Sequence, residues 1–503
     1  MFKNALVSVS DKTGLVEFLK PLAAQGLRIV STGGTAKHLK ENGLQVVDVS
    51  EQTQFPEVMG GRVKTLHPLI HMALLARTGH AEDEKLLKQY GLEPFDLVIC
   101  NLYPFEESLL KSLPEEEMIE NIDIGGPTVL RASAKCFDRI AVICHPQDYA
   151  WISQKSELNS TDRKKLAAKV FSHVSSYDSL VSAYLDPEWG ERFSLAGHKV
   201  MSLRYGENPQ QAASWYRRMG CDSGLHSAEI LQGKVLSYNN LLDLDAAVGL
   251  VQALEHPSAV AVKHNNPCGV ATADSLAEAV VKALKSDPIS VFGGIIAVNR
   301  KITQVEAEAL QGIFLECLIA PDYEPQALEI FSRKKNFRVL KWPDLMSLNS
   351  DFDLKTVQGG FLIQKKDVLS ASTETWKIKG EKPNADVLRD LIFSEKVCAS
   401  LKSNAIALVG QGQTLGLGMG QVNRVDAVKH AIDRMRTHFP ERQNIVMASD
   451  AFFPFADSIE VAAQAGVRWI LQPGGSVKDD EVFAAAERLK INMILTGQRH
   501  FKH

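Results

Sequence analysis

ALVSVSDKTGLVEFLKPLAAQGLRIVSTGG, Ala5 to Gly34, decides how the first part of the chain folds. ALVSVS and RIVSTGG are short β-rich runs ending in small polar residues, and LVEFLKPLAAQ between them carries the apolar spacing of a helix. The same grammar returns in TAKHLKENG, VVDVS, FDLVICNLYPF and DRIAVICH, up to about residue 150. Strand and helix alternating in this way predict a parallel, doubly wound α/β sheet. A polar helical stretch follows from about 160 to 185, and then DPEWGERFSLAGHKV, rich in turn formers, places a domain boundary near residue 195.

Beyond that boundary two passages share one pattern. In the first, AVAVKH leads through a Pro/Gly turn to VATA, helical SLAEAVVKALKSD and apolar VFGGIIAV. In the second, NAIALVG turns through QGQ into TLGLGMG, followed by helical VDAVKHAIDRM and strand-like NIVMAS. Hairpin, helix and strand recur in that order, which predicts an internal duplication.

The 503 residues exceed one ordinary core and suggest about three units. With 45 % hydrophobic residues, 23 % charged residues and a net charge of −4, the chain is neither disordered nor a polyanion binder by bulk charge. Any anionic ligand must be gripped locally, and no nucleic-acid partner is expected. Seven cysteines without a C-x-x-C, several inside apolar runs, read as reduced buried thiols. MFKNALVSVSDKTG reaches polar residues too soon for a signal peptide, and no apolar run of about 18 residues occurs, so a soluble cytoplasmic protein without a membrane partner is expected.

Several short stretches suit a phosphate-bearing ligand. STGGT, Ser31 to Thr35, ends a strand and opens a helix, where backbone N–H groups and hydroxyls can hold a phosphate. A tight glycine turn with Thr35 as a helix cap is the rival reading. SVSDKTG adds a second hydroxyl-rich turn with Ser10 and Lys12, while no P-loop pattern occurs. In GGRVKTLHP, Arg62 and Lys64 share one face of an extended segment, against the alternative of a solvated basic loop. NLYPF puts Tyr103 at the end of the apolar run DLVIC, where open α/β sheets bind ligands. IDIGGPTVLRASAK adds Asp123, a Gly-Gly turn, and Arg131 and Lys135 four residues apart on one helical face. Together these outline a phosphate-binding cleft with groups that move protons.

A second set lies further on. AVAVKHNNPCGVAT sets Lys263 beside His264, ahead of Pro267 and Cys268. The zinc nucleobase deaminases carry H-x-E followed by P-C-x-x-C, but His264 lacks the glutamate and Cys268 lacks its partner, so no zinc site is expected. Arg204 in LRYGENPQQ suits a bidentate phosphate contact, and Asn240 in SYNN suits a carboxamide. SVFGG offers Phe292 as an aromatic wall beside Gly293. GLGMGQ lacks the dinucleotide spacing, and NAD binding is rejected. ASDAFFPFADS groups three phenylalanines between Asp450 and Asp457, which suits a flat heteroaromatic ligand; a core strand followed by a capped helix is its rival. The tail RHFKH carries Arg499, Phe501 and His503, a more site-like mix than most tails, with a frayed end as its rival.

In this order, SVSDKTG, STGGTAKHL, GGRVKTLHP, NLYPF, IDIGGPT, RYGENP, SYNN, VKHNNPCG, FGG, SDAFFPF and RHFKH resemble the bifunctional purine-biosynthesis family that joins phosphoribosylaminoimidazolecarboxamide (AICAR) formyltransferase to IMP cyclohydrolase. The resemblance spans nearly the whole chain. It implies a methylglyoxal-synthase-like cyclohydrolase domain over 1–195 and a formyltransferase domain over 196–503. The latter would comprise two tandem cytidine-deaminase-like subdomains without zinc, dividing near 360–370. It implies formyl transfer from 10-formyltetrahydrofolate to the 5-amino group of AICAR, then closure of formyl-AICAR to IMP with loss of water. It also implies a homodimer with the transferase site at the interface, and leaves a monovalent cation open.

By the same matching, His264 takes the amine proton and Lys263 orients it and stabilises charge on the formyl oxygen. Arg204, Tyr205, Asn240, Phe292, Gly293, Asn404, Arg424 and Arg499 bind AICAR or folate, with Glu316 where some relatives carry Asp. Phe452 and Asp457 contact the pterin, and Phe501 and His503 close the site. In the cyclohydrolase, Lys64, Tyr103, Asp123 and Lys135 serve catalysis, while Ser10, Lys12, Ser31, Thr32, Gly33, Gly34, Thr35, Arg62 and Thr65 hold the substrate. Gln210, Met72, Ala73, Cys136 and Ala456 depart from the family pattern. Those near His71 and Lys135 motivate a second reading, an intact formyltransferase with an impaired cyclohydrolase. A zinc deaminase, motivated by Pro267-Cys268, is a third.

Overall fold

The computed structural model describes residues 2–347, 352–368 and 373–503. Its contacts divide it into two compact units. The first ends at His198 and takes back Tyr216–Cys221; the second holds Lys199–Trp215 and Asp222–His503.

The first unit is built on β1 (Asn4–Ser8), β2 (Arg28–Ser31), β3 (Val47–Asp48), β4 (Leu97–Cys100) and β5 (Ala141–Ile143), in the order β3-β2-β1-β4-β5 and parallel throughout. β4 and β5 are buried along their whole length, as strands are when both faces of a parallel sheet are covered. The Leu15–Ala24 helix supplies Leu15, Val16, Phe18 and Leu19 to that core. Chain order reverses beside β1, since β2 lies on one side of it and β4 on the other. The carboxyl ends of β1 and β4 therefore flank the crevice where such sheets bind ligands.

A separate ribbon, β6 (Gly197–Leu203) with β7 (Ala213–Arg218), follows. The second unit then forms one twelve-stranded sheet. Its first half contains β8 (Glu229–Gln232), β9 (Ser258–Lys263), β10 (Asn266–Thr272), β11 (Ile295–Val298), β12 (Cys317–Ala320) and β13 (Arg338–Lys341). After the ribbon β14 (Phe352–Val357) and β15 (Gly360–Lys365) come β16 (Lys377–Lys379), β17 (Ile406–Gly410), β18 (Gln413–Gly418), β19 (Ile445–Ser449), β20 (Val467–Gln472) and β21 (Asn492–Leu495). The sheet order is β16-β21-β20-β19-β17-β18-β10-β9-β11-β12-β13-β8.

The two halves repeat one plan. β9 and β10 form a hairpin, β11 is antiparallel to β9, and β11, β12 and β13 run parallel. β17, β18, β19, β20 and β21 pair in the same way. Helices recur with them: Tyr238–Gln252 and Ala385–Ser400 precede the hairpins, and Leu276–Ser286 and Arg424–His438 follow them. The two passages of matching grammar are thus equivalent parts of a repeated architecture. The division expected near 360–370 falls on β15 and runs into 369–372, which lie outside the described residues.

The halves meet where β10 lies beside β18. Ala271 pairs with Gln413, the Thr272 N–H donates to the Gly412 carbonyl at 2.8 Å, and the Val270 N–H donates to Thr414 Oγ1 at 3.0 Å. The glycines of GLGMGQ have a packing role here. A Cβ on Gly418 would stand 2.8 Å from the Ala427 carbonyl carbon, and one on Gly416 3.0 Å from that of Ala431. The absence of side chains lets the Arg424–His438 helix rest on the backbone of β18.

Candidate active sites

A cavity of about 640 Å³ opens at the carboxyl ends of β1, β2 and β4. Two helices begin on it. Gly33–Glu41 starts after Thr32, and Gly125–Lys135 presents Gly125 and Gly126. Their free N–H groups and dipoles favour an anion. Lys12, Arg62 and Lys64 add positive charge to the lining. Lys64 Nζ lies 3.0 Å from Glu57 and close over two glycines, where a Cβ on Gly33 or Gly61 would meet it at 2.9 or 2.7 Å. Arg62 is paired with Glu120.

Asn101, just beyond β4, ties the crevice together. Its Oδ1 accepts from the Ser10 and Asp11 N–H groups at 2.6 and 3.0 Å, and its Nδ2 donates to the Asp11 carbonyl at 2.9 Å. The sequence reading passed over this residue although it opens NLYPF; its place at the end of a buried strand was the available signal.

Asp123 sits where the second helix begins. Its carboxylate accepts from the Gly126 N–H at 2.8 Å and the Tyr103 N–H at 3.3 Å, and Tyr177 Oη accepts from the Asp123 N–H at 2.8 Å. Burial holds the Asp123 carboxyl above the usual range, against the opposing pull of the Gly126, Tyr103 and Gly125 N–H groups. That brings it closer to proton exchange near neutrality. Tyr103 is exposed beside it.

Of the residues expected here, Ser10, Lys12, Thr32, Gly34, Thr35, Arg62, Lys64, Thr65, Tyr103 and Asp123 line the cavity. Gly33 lines an adjoining pocket of about 160 Å³ that shares Thr32 and Lys64. Two expectations need correction. The Ser31 hydroxyl is fully buried and donates to the Val7 carbonyl at 2.7 Å, so it faces the core. Lys135 is exposed in the last turn of the helix whose first residues line the cavity, about 15 Å along its axis at 1.5 Å per residue. Neither Arg131 nor Lys135 lines the cavity, and Arg131 lies over the Phe171 ring instead.

In the second unit Lys263 and His264 line a cavity of about 390 Å³ with Cys268, Asp287, Thr414, His430 and Arg434 among its other walls. Lys263 pairs with Asn266, leaving His264 and Asn265 as a two-residue hairpin loop. Both have positive φ, 53° and 63°, as a type I′ turn requires. Lys263 Nζ donates to the Phe292 carbonyl at 2.6 Å, beside Gly293. The Phe292 ring is exposed and lies 5.3 Å from that of Phe314. Cys268 donates to the Ala261 carbonyl at 3.5 Å, and burial pushes its thiol up to about 12, which keeps it a thiol.

Other expected ligands have structural partners. Asn240 is buried and forms a capping box with Ser237, accepting from the Ser237 N–H at 3.1 Å. Glu316 is bound by Arg338 at 2.8 Å. The Arg424 guanidinium is buried, paired with Asp450, and donates to Ser449 Oγ at 2.9 Å and Asn404 Oδ1 at 2.6 Å. Asp450 therefore does not bracket a ligand slot, and Phe453, fully buried, belongs to the core. Phe452 and Asp457 remain exposed, the latter opening a helix and accepting from the Ser458 N–H at 2.6 Å.

Arg204 stacks over Tyr205 at 5.6 Å. In the tail, Arg499 lies over Phe501 at 4.5 Å, and Phe501 is 5.7 Å from His503. The tail is fixed near Asn404, since the Ser403 N–H donates to the Lys502 carbonyl at 2.9 Å. Lys263, His264, Phe292 and Gly293 thus form one cluster, and Asn404, Arg424 and the tail another. The cavity at Lys263 and His264 is not lined by the second cluster. Among the described residues no group of three or more His, Cys, Asp or Glu stands ready for a metal ion, and no helix is long and apolar enough to cross a membrane.

A phosphate-suited cavity at the switch point of one sheet and a Lys-His pair on a repeated sheet define a two-unit α/β enzyme. The family described as AICARFT/IMPCHase bienzyme matches residues 133–434, and the MGS-like domain matches 14–128. The bifunctional purine biosynthesis protein PurH of Ruminiclostridium cellulolyticum is 46 % identical, and that of Caldicellulosiruptor saccharolyticus 45 %, each over all of both chains. PurH of Bacillus cereus is 46 % identical with the same full coverage. The chain belongs to the AICARFT/IMPCHase bienzyme family, and is an AICAR formyltransferase and IMP cyclohydrolase of purine biosynthesis.

Proposed function

We propose that the two reactions use two separate sets of groups, and that this separation of Lys64, Tyr103 and Asp123 from Lys263 and His264 is the observation that carries the assignment. In the transferase the AICAR 5-amino nitrogen attacks the formyl carbon of 10-formyltetrahydrofolate. The new C–N bond forms, the amine proton passes to His264, and N–H donors of Lys263 stabilise the formyl oxygen. Collapse then breaks the bond to N10, which takes up a proton as tetrahydrofolate leaves.

In the cyclohydrolase the carboxamide nitrogen of formyl-AICAR attacks its own formyl carbon, and the resulting hydroxyl departs as water. Lys12, Arg62 and the two helix N-termini hold the phosphate. Asp123 and Tyr103 move protons, and Lys64 polarises the formyl oxygen. Because attack is intramolecular, correct positioning supplies much of the rate.

The repeated halves support two tandem cytidine-deaminase-like subdomains that work without zinc, within a transferase domain over 196–503 that follows a cyclohydrolase domain over 1–195 in the chain. Phe292 and Gly293 lie with the Lys-His pair, whereas Arg204, Tyr205, Asn404, Phe452, Asp457, Arg499, Phe501 and His503 do not line its cavity. We therefore propose a cytoplasmic homodimer in which a second copy brings such residues to the pair.

The test is a two-wavelength assay with AICAR and 10-formyltetrahydrofolate, following tetrahydrofolate release and IMP formation. Lys263→Ala should abolish release. Lys64→Ala should preserve release and let formyl-AICAR accumulate. Normal turnover by Lys263→Ala would refute the assignment. Wild type that fails to close supplied formyl-AICAR would favour the impaired-cyclohydrolase reading.

A further inference from the structure

The turn that carries His264 is held from outside the hairpin. The Asn265 N–H donates to Asp243 Oδ1 at 2.5 Å, and the His264 N–H faces the same carboxylate. Asn266 Nδ2 donates to the His264 carbonyl at 3.0 Å, so the turn's backbone is engaged in both directions. Asp243 projects from the Tyr238–Gln252 helix, which packs on β9 and β11. Burial raises its carboxyl, and the Asn265 N–H, the His264 ring and the His264 N–H pull it back.

The second half repeats this contact without the base. β17 and β18 are joined by Gln411 and Gly412, again with positive φ, 53° and 67°. Their N–H groups both donate to Asp390 at 2.7 Å, from the equivalent Ala385–Ser400 helix. Each carboxylate stands 22 residues before the second turn residue that it accepts from. The contact therefore belongs to the turn itself. Only the first half places a catalytic imidazole on it.

We infer that Asp243 is the positioning residue of His264: by accepting the N–H groups of a left-handed turn it fixes where the imidazole meets the amine. The inference rests on His264 acting as the transferase base. A left-handed pair of non-glycine residues is disfavoured in a free chain, so the turn relaxes when its acceptor is removed. A shift of about 1 Å in a reacting group is enough for about a hundredfold loss of rate.

The test compares Asp243→Ala with Asp390→Ala, which removes the acceptor from the same kind of turn where no base stands. Asp243→Ala should lower kcat for tetrahydrofolate release by about tenfold to a hundredfold and leave both KM values within about threefold. Asp390→Ala should lower the unfolding midpoint as much as Asp243→Ala does and keep kcat near wild type. Adding Asn265→Gly to Asp243→Ala should recover part of kcat, because glycine adopts positive φ without an external acceptor. Wild-type kcat in Asp243→Ala would overturn the inference. So would a kcat loss shared by Asp390→Ala, or one that Asn265→Gly does not relieve. If Asp243→Ala does not fold, Asp243→Glu takes its place: it keeps the charge and misplaces the acceptor, and a kcat matching wild type would overturn the inference. His264→Ala tests the parent reading, since turnover by that variant removes the base whatever Asp243 does.

Discussion

Gly418→Ala is the sharpest test of how the second unit is packed. The added Cβ would stand 2.8 Å from the Ala427 carbonyl carbon, with the Ala427 oxygen nearer still, whereas carbon atoms settle at about 3.5–4.0 Å. Both partners are backbone, so no side chain can swing aside. The Arg424–His438 helix must retreat by about 1 Å, a gap that forfeits a quarter to a half of each contact it loosens. The contacts at stake are those of Ala427, Val428, Ala431, Ile432 and Met435, all buried. Overpacking usually costs 1–3 kcal/mol, and a backbone clash belongs at about 3 kcal/mol. In a unit of this size, at about 2.1 cal/mol/K of unfolding entropy per residue, that lowers the melting midpoint by roughly 5 °C. The same helix carries His430 and Arg434 into the Lys263 cavity, so tetrahydrofolate release should fall while supplied formyl-AICAR is still closed to IMP. Calorimetry and the two-wavelength assay read both effects. A wild-type midpoint with wild-type turnover would refute the close approach of helix to strand.

Acid should weaken the first unit through His173, whose imidazole burial, aided by His145, His198 and Lys169, holds down at about 4. A folded value below the unfolded one of about 6.5 gives stability that is present above pH 6.5 and lost as pH falls toward 4, about 3 kcal/mol in all. His173→Phe should flatten this dependence in urea unfolding between pH 7 and 4.5; an unchanged slope would remove His173 as its source. Arg424→Ala strands the buried Asp450 carboxylate and should cost about 3–5 kcal/mol in chemical unfolding. Arg424→Met with Asp450→Leu should recover that stability, and recovery of transferase activity as well would show that Arg424 acts on packing alone.

The parallel sheet of the first unit was readable because alternating apolar runs and amphipathic stretches are local signals. STGGT, Lys64, Tyr103 and Asp123 were readable because they stand at strand and helix ends, where a doubly wound sheet collects its ligands. Lys135 failed because distance along a helix matters as much as its face. The ion pairs of Arg424 and Glu316 were hidden for a different reason: their partners Asp450 and Arg338 are remote in sequence, and no local pattern announces such a pairing. Asn240 did carry a local signal, since Ser-x-x-Asn ahead of an apolar run is the form of a capping box. The Asp243 contact was hidden until the duplication gave it a counterpart in Asp390.

The join between β10 and β18 has a consequence for how the chain is made. β10 pairs on one side with β9 from its own hairpin, but the Val270 backbone waits for Thr414, 144 residues further on. At about 5–20 residues per second, the ribosome leaves that strand edge open for roughly 7–30 s. An open edge offers unpaired N–H and C=O groups to any passing strand. The nascent first half is therefore most prone to aggregate while the second is being synthesised, and chaperone occupancy should peak in that interval and end when residues 413–418 emerge.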